Sequence, residues 1–508
     1  MTNIIKIILF LLIIFTPIAF GSVELWAFST MELGILLIII LWSIQNMLQI
    51  KSTDLRINPF TLPRIPNSAS NNSVSAFNSQ LRTPHSALVI IALFLLLILF
   101  QLLPLPPGLL KILSPKTFEI RHQLQIPSNH LAVLSPSFAA SAPGSSGLST
   151  LRSPLSLFPF ATQVEFFKWL TLFGLFLFLV RSKLLYDNGR IMRQLIIVIL
   201  LMGVAESLYG MSEFFSGHKY ILHPSTEADV SSVTGTFLNP NYFAGYLLMV
   251  IPLSVGYLFS RESLERVRYS GWRHRLSSID GKTLFLGFCI IVMILALLFS
   301  ASRMGISSLL LSFTLLALLF RSPSRRERFS RTSILILGLA LLWAAWIGLD
   351  AVISRFFTSS EDFKGRWVFW VNTFQIFRDF PIFGSGLGTF TWIFPMYRSD
   401  HLIGMATHAE NDYLQLASEV GLVGVVLLLI LLVFLSYKTV FGIRLLSHRE
   451  PERYIGIGSL VGILALMLHS VVERNIQVPS NAFLYTILWA IALRVSLHSK
   501  EVIKSLSN

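Results

Sequence analysis

Residues 283–320 read TLFLGFCIIVMILALLFSASRMGISSLLLSFTLLALLF. Two apolar runs, 283–301 and 304–320, are separated by a short polar break that holds a single charge, Arg303. Each run is close to the length that carries an α-helix across a bilayer, roughly 20 residues. Working outward, the same pattern repeats along all 508 residues, with spans near 4–20, 32–49, 86–103, 165–181, 192–210, 241–259, 283–301, 304–320, 332–350, 415–437, 455–472 and 480–497. Hydrophobic residues make up 54% of the chain and charged ones only 13%, against about 25% in soluble domains. The expected fold is therefore all-α, a polytopic transmembrane helical bundle of about twelve spans. The single cysteine, Cys289, excludes an internal disulfide or a cysteine-based metal site.

A formal charge of +14 raises the possibility of nucleic-acid binding. Its distribution points elsewhere. With the N-terminus placed inside, the inner loops come out strongly basic and the outer loops slightly acidic, as the positive-inside rule requires. Loops 260–282 and 321–331 are short and strongly basic, with Arg261, Arg266, Arg268, Arg325 and Arg328 among their cations. The basic residues set topology, and no nucleic-acid partner is implied. Both termini are expected inside. Ala19 and Gly21 offer a possible signal-peptide cut after the first span, and either reading leaves the later topology unchanged.

Residues 51–85 form a polar, basic inner loop, and 104–164 a Pro-, Ser- and Ala-rich outer loop. The run Leu103-Pro104-Leu105-Pro106-Pro107-Gly108 cannot continue a helix. Gly384-Ser385-Gly386-Leu387-Gly388 fits no nucleotide fingerprint and reads as a tight turn beside Pro381. No internal repeat is visible, which weakens the case for a transporter built on inverted repeats. A large helical outer loop, 351–414, precedes the tenth span and carries Trp367, Trp370, Trp392, Arg355, Arg366, His401 and His408. Long loops of this content carry function more often than structure.

Four stretches hold the chemistry. In Thr407-His408-Ala409-Glu410-Asn411-Asp412-Tyr413, Thr407 and Glu410 have capping-box spacing, which puts His408 at a helix start. That position disfavours imidazolium and suits a general base. The alternatives are a packed interface histidine, or a metal site with Glu410 and Asp412, whose spacing matches no strong signature. Arg303 opens the eighth span, where its planar fork and the helix N-terminus both favour a phosphate, or where it anchors the interface. Arg366, in Gly365-Arg366-Trp367-Val368-Phe369-Trp370, either clamps an anionic group or touches lipid headgroups. Asn239-Pro240 reads as N-cap and first residue of the sixth span, which explains it structurally, and Asn241 adds a polar group inside that span.

These stretches resemble the O-antigen ligase/polymerase superfamily of polytopic glycosyltransferases. The likeness rests on Gly235–Ala244, Ser302-Arg303, the Gly-Arg-x-x-x-Trp at 365–370, Pro381-Ile-Phe-Gly384-Ser-Gly386, His408-Ala-Glu-Asn-Asp-Tyr413 and Glu419-Val-Gly421-Leu-Val-Gly424. The resemblance implies a metal-independent, cofactor-free inverting transferase of the bacterial inner membrane. Such an enzyme moves a glycan from an undecaprenyl-diphosphate carrier to an acceptor hydroxyl on the periplasmic face, with lipid A–core as the acceptor in ligases. By position, His408 resembles the catalytic base, and Arg303 and Arg366 the arginines that hold the diphosphate. Asn239, Asn241, Glu410, Asn411 and Tyr413 fall in supporting positions. The implied organisation is an N-terminal transmembrane region (1–234), a catalytic region (235–435) and C-terminal transmembrane helices (436–508). A polysaccharide polymerase and a protein O-oligosaccharyltransferase share the donor chemistry. A transporter of lipid-linked glycan or of an anion is the competitor of a different class. It calls for charges deep within spans, where Lys168, Glu206 and Glu419 are the few on offer.

Overall fold

The computed structural model describes residues 2–54, 85–125, 152–185, 189–217, 232–264, 280–320, 359–399, 406–447 and 450–506. In chain order the helices are α1 (Thr2–Ile18), α2 (Leu25–Asp54), α3 (His85–Leu102), α4 (Pro107–Leu113), α5 (Pro115–Gln125), α6 (Pro159–Arg181), α7 (Arg190–Ser216), α8 (Pro240–Leu264), α9 (Gly281–Phe299), α10 (Arg303–Leu319), α11 (Ser359–Asp379), α12 (Phe390–Ile393), α13 (Asp412–Leu445), α14 (Pro451–His469) and α15 (Pro479–Leu506). Among the described residues there is no strand, and the β-type pairing is one isolated bridge between Leu105 and Ser153.

Eight of these helices, α2, α6, α7, α8, α9, α13, α14 and α15, are long and apolar enough to cross a membrane. Three shorter apolar helices coincide with α1, α3 and α10. Eleven of the twelve expected spans thus fall on helices, and the chain is a multi-pass helical membrane protein. The expected span at 332–350 lies outside the described residues, as do Arg355, His401, nearly all of the 51–85 loop, residues 126–151 and most of the two basic inner loops. Helices α2 and α13 run well past their apolar runs, because flanking polar residues continue the same backbone ladder. The proline-rich stretch ends α3 as expected. It also starts α4, with Pro107 in the first turn, where its missing N–H costs nothing.

The chain divides into two compact units. The first comprises Met1–His85, Thr171–Ser360 and Phe434–Asn508. Its centre is α8, buried along its whole apolar window. Lipid tails supply no hydrophobic drive between helices, so close packing must hold them together. Glycines permit it here. A Cβ on Gly458 would lie 2.5 Å from the Pro252 carbonyl oxygen, and one on Gly462 2.9 Å from that of Met249. These two α14 glycines, four apart, let α14 lie directly on the α8 backbone. The peripheral helices α1 and α2 expose Ile4, Leu11, Leu33 and Ile40, the apolar surface that suits lipid.

The second unit comprises Ser86–Leu170 and Glu361–Val433. One of its cores gathers Ile120, Ile376, Phe380, Phe390, Ile393, Phe394 and Ala409. The other gathers Leu105, Leu110 and Leu155, with Phe100 and Phe383 against them. Tyr397 donates to Asp379 Oδ2 at 2.6 Å, and burial, followed by that carboxylate, raises the phenol above its usual range.

Gly458→Ala is expected to force α14 off α8 and lower the thermal unfolding temperature in detergent, by the equivalent of about 1–3 kcal/mol of overpacking. Gly287→Ala, whose Cβ would meet nothing within 4 Å, is expected to leave it unchanged.

Candidate functional site

Helix α13 is interrupted at Gly421, whose φ of 63° and ψ of −171° only glycine adopts readily. In an unbroken helix the Leu422 and Val423 amides would bond the Ser418 and Glu419 carbonyls. Here the Leu422 amide donates to Pro381 O at 2.8 Å and the Val423 amide to Ile382 O at 3.2 Å. The two released carbonyls are taken in exchange. Ser385 N donates to Ser418 O and Gly386 N to Glu419 O, both at 3.0 Å. The stretch from Pro381 to Gly386 is therefore a strap laid across the break, more than the turn its sequence implied. A Cβ on Gly384 would lie 2.1 Å from Glu419 O, which is why glycine stands there.

Gln101, fully buried at the end of α3, closes the same junction. Its amide nitrogen donates to Phe383 O at 2.6 Å and Glu419 O at 2.9 Å, and its oxygen accepts from Leu387 N at 3.1 Å. The buried Glu419 carboxylate accepts from Phe390 N at 3.1 Å and from Gln415 Nε2 at 3.4 Å. Gln415 in turn accepts from Ala409 N at 3.1 Å. The break in α13 is thus linked, bond by bond, to the segment that carries His408.

That segment differs from expectation. Helix α13 begins at Asp412, with Asn411 as its cap. The Asn411 Oδ1 accepts from Leu414 N at 3.0 Å. Thr407 and Glu410 do not form a capping box. Glu410 has a positive φ of 50°, so the chain turns there rather than entering a helix. His408 lies four residues before the helix, outside the reach of the terminal dipole, and the dipole argument for a neutral imidazole does not apply. The segment is instead held by side chains. Thr391 Oγ1 donates to Thr407 O at 2.8 Å, and Trp370 Nε1 to Glu410 O at 3.3 Å. His408 is half-buried between these two ties, and Tyr413 is exposed.

Arg366 lies on α11 four residues before Trp370, so both occupy one face of the helix. Arg366 thus shares its helix face with the tryptophan that bonds the Glu410 carbonyl. Trp367, beside them, is 56% exposed.

Arg303, Asn239 and Asn241 belong to the first unit and are described there. Arg303 is the first residue of α10, as expected, with Ser302 as its cap accepting from Gly305 N at 3.3 Å. Asn239 caps α8 through the Asn241 amide at 2.8 Å, and Pro240 is the first helical residue. A Cβ on Gly305 would lie 3.1 Å from Ala244 Cβ, so the first turns of α8 and α10 touch.

A fully buried polar chain runs beneath them. The Tyr242 carbonyl can only accept, so the Asn481 amide nitrogen 3.1 Å away must donate. That nitrogen also donates to Asn475 Oδ1 at 3.2 Å. The Asn475 nitrogen therefore donates to His469 Nδ1 at 3.1 Å, leaving the proton on Nε2, 3.2 Å from Ser302 Oγ. Sequence reading passed over Gln101, His469, Asn475 and Asn481. The available signal was a lone polar residue at the end of an apolar run, which is costly in a membrane.

The three span charges weighed for a transporter, Lys168, Glu206 and Glu419, have structural partners. Glu206 accepts from Thr236 N at 2.9 Å, Lys168 pairs with Glu165 at 2.5 Å, and Glu419 is bonded as above. Among the described residues no three His, Cys, Asp or Glu side chains are grouped to hold a metal ion.

A multi-pass helical membrane protein with a strapped, broken helix and a histidine presented beside it is the class that fold and site define. Residues 288–429 match the O-antigen ligase family model. The match supports the O-antigen ligase superfamily for this region. It takes in Arg303, Arg366, the strap, His408–Tyr413 and Glu419–Gly424, while Asn239 and Asn241 lie outside it. No curated protein matches the chain.

Gln101→Leu is expected to orphan the Leu387 amide and remove donors from two carbonyls, at about 1–3 kcal/mol for each group left unsatisfied. Thermal unfolding in detergent, with Gly421→Ala alongside, measures this. Both variants are expected to fall well below wild type.

Proposed function

We propose that the protein transfers a glycan from an undecaprenyl-diphosphate carrier to an acceptor hydroxyl, at the periplasmic face of the inner membrane, as a polysaccharide ligase with lipid A–core as acceptor. The observation that carries this is the family match over residues 288–429, which contains His408 and both arginines. In this reading His408 takes the proton from the acceptor hydroxyl. The acceptor oxygen attacks the anomeric carbon, the bond from that carbon to the diphosphate oxygen breaks with inversion, and undecaprenyl diphosphate leaves with the electron pair. Arg303 and Arg366 stabilise the charge that develops on the leaving group. No nucleotide is consumed, because the lipid diphosphate is itself the leaving group.

The half-buried setting of His408, fixed by Thr391 and Trp370, supports its role, since a base must be held within hydrogen-bond reach of its proton. A protein hydroxyl or a second lipid-linked glycan would serve the same chemistry as acceptor.

Reconstitution with undecaprenyl-diphosphate-linked glycan and each acceptor in turn tests the proposal. His408→Ala is expected to lower turnover by about 10²–10⁴-fold, the usual worth of general-base catalysis, while insertion and yield stay normal. Arg303→Ala and Arg366→Ala are expected to lower kcat/KM for the donor. Activity is expected to persist in excess chelator. Full turnover by His408→Ala removes the assigned base, and a loss restored only by a divalent cation moves the chemistry to Glu410 and Asp412.

A further inference from the structure

The link between α14 and α15, residues 470–478, carries an arginine that the proposed chemistry has not used. The Arg474 guanidinium carbon lies 5.9 Å from the centre of the Tyr242 ring, in the first turn of α8. The next residue, Asn475, is fully buried and bonded to His469, which is bonded to Ser302, the cap of the helix that Arg303 begins. Gly245, one turn into α8, leaves the space that Asn475 fills, since a Cβ there would lie 2.0 Å from Asn475 Oδ1. One chain of bonds therefore fixes the residue after Arg474 and the residue before Arg303. Helix α10, which Arg303 begins, and α8, which carries Tyr242, approach closely at Gly305 and Ala244.

Two fully buried hydroxyls beside this link, Ser470 Oγ and Ser480 Oγ, have no hydrogen-bond partner within the protein, and neither does Arg474 Nε; all three can donate to an anion. Buried polar atoms are nearly always satisfied, and a cluster of exceptions marks a place where a polar group from outside completes the set. The N-termini of two long helices, α8 and α10, favour an anion in the same place. The link holds one acid, the buried Glu473, whose charge offsets one guanidinium and leaves the group cationic by one.

We infer that Arg474 and Arg303 together bind the diphosphate of a prenyl-linked donor, with His469 and Asn475 as positioning residues that hold both arginines. This rests on the proposed donor class. Arg474 contributes its planar fork, which can hold two phosphate oxygens at once, and the Tyr242 ring lies against the guanidinium.

The test is the binding of undecaprenyl diphosphate to purified protein in nanodiscs, with undecaprenol as the neutral control and inorganic pyrophosphate as competitor. Arg474→Met keeps an unbranched apolar side chain without the charge and is expected to weaken undecaprenyl diphosphate at least tenfold while leaving undecaprenol unaffected. Arg474→Lys is expected to recover part of the loss. In transfer assays, Arg474→Met is expected to raise donor KM far more than it lowers kcat. Competition by pyrophosphate assigns the affinity to the diphosphate, and a lack of competition assigns it to the prenyl chain and overturns the inference. Equal affinity of wild type and Arg474→Met for undecaprenyl diphosphate overturns it as well. Wild-type protein that binds the diphosphate through Arg474 but transfers no glycan removes the proposed activity and leaves this site standing.

Discussion

A helix broken inside an apolar span leaves amides and carbonyls that lipid cannot satisfy. At Gly421 the chain meets that constraint by exchange. Two amides go to Pro381 O and Ile382 O, and two carbonyls receive Ser385 N and Gly386 N. The exchange costs no hydrogen bond, and it ties α13 to a strap forty residues earlier in sequence. Gln101 locks the strap, and Glu419 carries the order onward to Phe390 and Gln415. Gln415 holds Ala409, and Ala409 follows His408. The position of the proposed base is thus a consequence of how a broken helix satisfies its own backbone.

A second polar system works in the first unit by the same logic. There a directional series of hydrogen bonds begins at the Tyr242 carbonyl and ends at the Ser302 hydroxyl. Its direction is fixed by one atom that can only accept. Burying Asn481, Asn475 and His469 together is tolerable because each amide or ring nitrogen in the series meets a partner, and it fixes where α10 begins. Arg303 inherits that rigidity, which a flexible interfacial anchor would not need.

The apolar runs made the helical, membrane-spanning architecture legible, because length and hydropathy suffice for that. The cap at Asn239 and the start of α10 at Arg303 were legible too, since both depend on nearest neighbours. The start of α13 departs from its local sequence signal. Thr407 and Glu410 have the right spacing, but Trp370 draws the Glu410 carbonyl away and Asn411 caps the helix in their place. Tertiary contacts from α11 overrode a local signal. The strap looks locally like a tight turn because its partners, Ser418 to Val423, lie more than thirty residues away and nothing local announces them. His469 and Gln101 went unread for the same reason: their value lies in distant partners.

The account stands on one claim, that this protein cleaves a bond from a sugar to a lipid diphosphate rather than moving the intact lipid. Proteoliposomes loaded with doubly labelled undecaprenyl-diphosphate-linked glycan and lipid A–core measure it directly. The account predicts one undecaprenyl diphosphate released for each glycan appearing on the acceptor. Movement of intact lipid-linked glycan between leaflets, with both labels still joined and no glycosylated acceptor formed, would contradict it.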